Sequence, residues 1–118
     1  MKYVDGFVLP IPKKKLGVYK KMARLGAKVW MDHGALEYCE CIGDDFTMQG
    51  VTPFPKAIKS KPNETVVFAW IVYKSRAHRD RVNAKVMKDP RMNPAEMTEM
   101  PFDMKRMMVG GFKVLVER

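Results

Sequence analysis

The segment from Thr65 to Tyr73 constrains this chain more than any other, because it holds eight consecutive apolar residues, Val66 to Tyr73, rich in β-branched and aromatic types. Such residues suit a pleated strand, and a strand that is apolar on both faces needs cover on both. The run is also too short to cross a bilayer, where a helical span takes about 20 residues.

The flanking pattern supplies partners for that strand. Tyr3, Asp5, Phe7 and Leu9 alternate with Val4, Gly6 and Val8, which predicts a first strand over 2–9, ended by Pro10 and Pro12. Pro12 suits the first turn of a helix and Gly34 the residue past its end, so a helix is expected over about 12–33. Tyr19, Ala23, Val29 and Trp30 fall on its apolar arc, away from Lys13, Lys20, Arg24 and Lys28. A second strand over 35–43 places Leu36, Tyr38, Glu40 and Ile42 on one face and Glu37, Cys39 and Cys41 on the other. A loop over 44–55 follows, with a short edge strand at Ala57 to Lys59.

After the apolar strand, Ser75 is a good N-cap for a helix over 76–88, with Val82, Val86 and Met87 as its apolar arc and Asp89 and Pro90 as its stop. Residues 91–105 hold Pro94 and Pro101 with short helical turns between them. The last strand is expected from Arg106 to Glu117, where Gly110 and Gly111 mark a bulge or a close backbone approach. The order βαββαβ is the ferredoxin-like split arrangement. It is an α+β fold with two helices on one face of a four-stranded antiparallel sheet. One domain spans residues 1–118, and the second sheet face is left open for another copy of the chain in a two-fold dimer.

Several strings are distinctive: Met1 to Val8, Val66 to Ile71, Asp89 to Met92, Met100 to Met107, and Gly110-Gly111-Phe112. Together they resemble the YbaA-like family of small bacterial proteins of unknown function, within the dimeric α/β barrel superfamily. The resemblance implies a homodimer whose two sheets meet face to face, with a pocket between sheet and helices. It implies no particular activity.

Composition narrows the function classes. The hydrophobic share is 47% and the charged share 30%, as in globular chains. Nothing near Met1 has the pattern of a signal peptide, so a cytoplasmic protein with reduced thiols is expected and no membrane partner. Lysine and arginine number 22 against 13 acidic residues, a net charge of +9. Nucleic acid is therefore an alternative partner, through the basic face of the first helix, although no basic tail exists. The exposed rings of a base-stacking platform are not expected, because Tyr3, Phe7, Phe68 and Trp70 lie on strands read as buried.

The candidate ligand-binding residues are Asp5, Trp70, Arg79, Asn83, Asp103 and Arg106. Asp5 interrupts an apolar strand face, where a carboxylate needs a partner. It is either a polar anchor or general base, or the member of a structural pair with Arg106 or Lys105. Arg79 and Asn83 fall within the apolar arc of the second helix and either point into a pocket or turn out to solvent and backbone. Asp103 and Arg106 gather charge around Phe102, and Asp89 and Arg91 do so at a helix end. Each set either holds an anion or pins the segment that follows. His33, Cys39 and Cys41 match no zinc spacing, and no metal or cofactor is expected. The cysteine pair leaves a thiol redox sensor as a further alternative, which requires an exposed thiol of low pKa. The leading reading is a small-molecule binding homodimer or an enzyme of unassigned reaction.

Overall fold

A computed structural model describes residues 1–92 and 100–118. Pro94 and the helical turns expected after it, over 93–99, lie outside the described residues. Four strands form one antiparallel sheet: β1 (Tyr3–Pro12), β2 (Glu37–Ile42), β3 (Glu64–Tyr73) and β4 (Met108–Lys113), in the order β2-β3-β1-β4. The helices are α1 (Leu16–Asp32), a single turn α2 (Phe54–Ala57) and α3 (Arg76–Lys88). The sequence-derived order βαββαβ is present, with α1 and α3 packed together on one face of the sheet.

β1 runs on through Pro10 and Pro12, which pair with Val66 and Glu64. Prolines are tolerated here for a geometric reason. The Lys13 amide donates to the Asn63 carbonyl at 2.9 Å, so odd-numbered amides face β3 and even-numbered ones face away. β4 pairs with β1 only as far as Val8, which leaves Pro10 and Pro12 on an open edge where a missing N–H costs nothing. α1 accordingly starts later than expected, after a 3-10 turn at Lys13–Lys15. It ends where expected: Gly34 takes a φ of 109°, and the amides of Gly34 and Ala35 return to the carbonyls of Met31 and Trp30. Ser75 caps α3, its side chain accepting from the His78 amide at 3.1 Å.

The helix side of the sheet holds the main core, in which Val29 of α1 and Val82 and Val86 of α3 pack on Tyr3, Ile71 and Tyr73. Met87, expected on that arc, is exposed instead, because Val82 and Val86 suffice to seat one face of a mostly polar helix. Residues Ala57 to Lys59 belong to the α2 turn and its exit rather than to an edge strand, since Pro53 and Pro55 favour a helical start. The second sheet face is not wholly open: Phe46 and Ile58 from the β2–β3 connection cover Val8 and Val66. Beyond them Phe68, Met108 and Phe112 remain exposed on that face. Phe68, read from sequence as buried, is 42% exposed, because Phe54 from the connection and Trp70 cover only part of its ring.

Candidate functional site

Asp5 stands on the helix face of β1 between Tyr3 and Phe7 and is 5% exposed. α3 lies above it, and Arg79 turns inward, its Nη1 donating to Asp5 Oδ1 at 2.8 Å. The guanidinium sits 4.9 Å from the centre of the Tyr3 ring, a cation–π seat. Asn83, one turn along the same helix face, accepts from Trp30 Nε1 at 3.1 Å and from the Tyr73 hydroxyl at 3.2 Å. Burial pushes the Asp5 carboxyl above the usual aspartate value, and Arg79, Tyr73 and Asn83 pull it back. The partner of Asp5 is therefore Arg79, not Arg106 or Lys105.

The remaining candidate residues stand elsewhere. Trp70 pairs with Gly6, so its ring is on the second sheet face, beside Phe68 at 5.6 Å between ring centres. Asp103 caps the 3-10 turn Met104–Arg106, accepting from the Lys105 amide at 3.0 Å. Arg106 grips both carboxylate oxygens of Glu64, at 2.6 and 2.9 Å, and the Lys59 carbonyl at 3.1 Å. Glu64 is opposite Pro12, at the far end of β1 from Asp5. Asp5, Arg79 and Asn83 come together; Trp70, Asp103 and Arg106 do not join them.

Next to this network, between the sheet and α1, is a cavity of about 300 Å³. Phe7, Trp30 and Phe102 contribute rings to its wall, and Met22, Met104 and Met107 contribute flexible thioethers. Among the described residues its one carboxylate is Glu40, carried on the helix side of β2 opposite Ala69. The Tyr38 hydroxyl donates to Glu40 Oε2 at 2.7 Å, and the Tyr19 hydroxyl, brought down by α1, donates to Oε1. Burial raises both phenols well above the ordinary tyrosine value, and the adjacent Glu40 raises them further, so both remain proton donors. Trp30 joins the two sites, lining the cavity with its ring while its indole N–H reaches Asn83. Glu40 was absent from the sequence-derived candidates, although its alternation with Tyr38 and Ile42 on a helix-facing strand was the available signal.

Residues 2–104 match the model of DUF1428, described as a protein of unknown function. The chain belongs to this family. It is 47% identical over 118 residues to the uncharacterized protein YbaA of Escherichia coli K12, and equally to that of Shigella flexneri, with 99% of each chain covered. Its fold is similar to that of a solved dimeric ferredoxin-like protein from an uncultured marine organism, at a TM-score of 0.62 and 13% identity, covering 99% of this chain and 98% of that one.

In this DUF1428 chain the two thiols sit apart from the cavity, on the second sheet face opposite Trp70 and Phe68. Their sulfurs are 3.8 Å apart, and burial together with the neighbouring Cys41 pushes the Cys39 thiol up rather than down. That is the reverse of what a reactive sensor thiol needs. Among the described residues no group of three or more histidine, cysteine or acidic side chains is placed to hold a metal. His33 is bound instead to Asp89, Nε2 to Oδ2 at 2.8 Å, while Arg91 forks onto the same carboxylate and reaches Asp32 at 2.8 Å. This cluster fastens the end of α1 to the exit of α3. Among the described residues no helix is long and apolar enough to cross a membrane.

Proposed function

We propose that this DUF1428 chain is a homodimer that binds a small, largely apolar molecule in the cavity between the sheet and α1. The cavity itself carries the reading: about 300 Å³ of space walled by rings and thioethers, with one polar end at Glu40. Pockets for small ligands run from roughly 300 to 1,000 Å³ and combine an apolar wall with a few fixed polar groups. Part of this apolar lining, at Met100 and Met104, is open to solvent, so an occupant that displaces water from it is favoured.

The dimer is supported by the second sheet face, where Phe68, Met108 and Phe112 leave apolar surface uncovered, and by the dimeric state of the ferredoxin-like relative. A second reading has one observation in its favour. Exposed rings on a four-stranded sheet are also what stacks the bases of single-stranded RNA, and the chain carries a net charge of +9. The lysines and arginines of α1 stand on the other side of the sheet from those rings, and the strand flank nearest Trp70 offers Glu37 and two thiols. Phosphates following the rings would find few cations, which favours a second copy over RNA.

The test is native mass spectrometry of the purified full-length protein, followed by identification of any retained molecule. The expected result is a dimer carrying a small ligand that stabilises it against heat, and an Ala69→Leu variant, which fills the cavity from β3, that keeps the dimer but loses the ligand. Equal uptake by wild type and Ala69→Leu would overturn the cavity reading, and salt-sensitive RNA binding by a monomer would replace it.

A further inference from the structure

Resting on the cavity reading above, the lining specifies the ligand's charge. Among the described residues Glu40 is the only carboxylate on the wall, and no lysine, arginine or histidine lines the cavity. Its hydrogen-bond partners are the hydroxyls of Tyr19 and Tyr38, one on each carboxylate oxygen. A carboxylate has about four lone-pair sites, so two donors leave acceptor capacity, and neutral phenols do not balance its charge.

The rest of the wall adds to the same field. Phe7, Tyr19, Trp30, Tyr38 and Phe102 all border the space, Trp30 and Tyr38 with ring centres 6.1 Å apart and Tyr19 and Phe102 with theirs 5.8 Å apart. Aromatic faces carry negative potential and attract a cation, the more strongly when water is excluded. An anion would meet a carboxylate and several such faces, and a neutral hydrocarbon would leave the carboxylate's remaining acceptor positions dry. A positive nitrogen satisfies both parts of the wall.

We propose that the cavity binds an organic ammonium, a small amine or quaternary ammonium carrying an apolar or aromatic body, with its nitrogen against Glu40 inside the ring of aromatic side chains. The body then lies among Met22, Met104 and Met107, whose unbranched side chains adapt to its shape. The cavity volume limits the body to about one ring and a few carbons. The positive net charge of the chain is spread over its surface, where charges a Debye length of about 8 Å or more away are screened; Lys20 shares a separate pocket with Glu40 and does not line this cavity.

The test compares benzyltrimethylammonium with its neutral carbon isostere neopentylbenzene, titrated into full-length wild-type protein while the Trp30 indole N–H resonance is followed. The expected result is saturable binding of the cation, at least about tenfold tighter than that of the isostere, and a loss of about tenfold or more in Glu40→Gln. Equal affinity for the two probes in wild type would overturn the ammonium assignment while leaving the cavity reading intact, and this comparison needs no variant to fold. No shift of Trp30 by either probe would overturn both.

Discussion

Arg79 Nη1 and Asp5 Oδ1 meet at 2.8 Å between α3 and β1, with 20% and 7% of their side chains exposed. Both charges have given up most of their water, so the pair itself adds little net stability, while removing one partner strands the other. Asp5→Asn and Arg79→Met are each expected to cost about 3 kcal/mol in urea unfolding. Cost below about 1 kcal/mol in both would mean the pair is solvated. Burial raises the folded pKa of Asp5 above the ordinary 3.8, so folding takes up a proton there. The Asp5 contribution is therefore most favourable below 3.8 and declines as pH rises through the folded value. Asp5→Asn should remove that decline.

Asp89 behaves with the opposite sign. Arg91, chiefly, and His33 hold its carboxyl below the ordinary 3.8. Its contribution is then fully present above 3.8 and disappears as pH falls toward the folded value. Asp89→Asn should unfold more easily than wild type at neutral pH, and the gap should close on acidification. A gap that stays constant with pH would show that the cluster acts through packing alone.

What was legible in the sequence follows from what periodicity encodes. The element order, the Ser75 cap and the common face of Tyr3, Asp5 and Phe7 all come from local patterns, and each stands as expected. Register does not. Asp5 and Trp70 lie on neighbouring strands, but the residue opposite Asp5 is Ile71, and one position along a strand exchanges the faces. Pro10 and Pro12 were read as strand breakers because the short reach of β4 along β1, which frees that edge, is a tertiary fact. Glu40 was visible as one charge on an apolar face, yet its importance depends on Tyr19 descending from α1, which no strand pattern contains.

Gly111 lies directly opposite Asp5, and a Cβ there would stand 2.8 Å from the Tyr3 ring and closer still to its hydroxyl. A side chain would displace the ring on which Arg79 rests. Gly111→Ala is expected to destabilise by about 1–3 kcal/mol, the usual cost of overpacking. Tyr3→Leu in the same chain should relieve part of it, because the shorter side chain vacates the contact. Thermal unfolding of the two single variants and the double variant would measure the coupling, and strictly additive effects would exclude a clash through Tyr3.

The proposed dimer makes the last prediction. On the second sheet face Phe68 is 42% exposed and touches Phe54 and Trp70 with ring centres 6.0 and 5.6 Å away, while Phe112 is 61% exposed on β4. A face-to-face pairing of two sheets would bury these rings at its centre, where aromatic anchors dominate binding energy. Sedimentation of wild type at micromolar concentration is expected to give about twice 13.6 kDa. Phe68→Glu places a charge at the same point of both copies, so it is repelled by its own mate and loses water without gaining a partner. It should shift the protein to monomer while the far-ultraviolet circular dichroism stays unchanged, because the side chain makes no part of the helix-side core. A dimer that survives Phe68→Glu would move the interface off this face, and the exposed rings would then need another occupant.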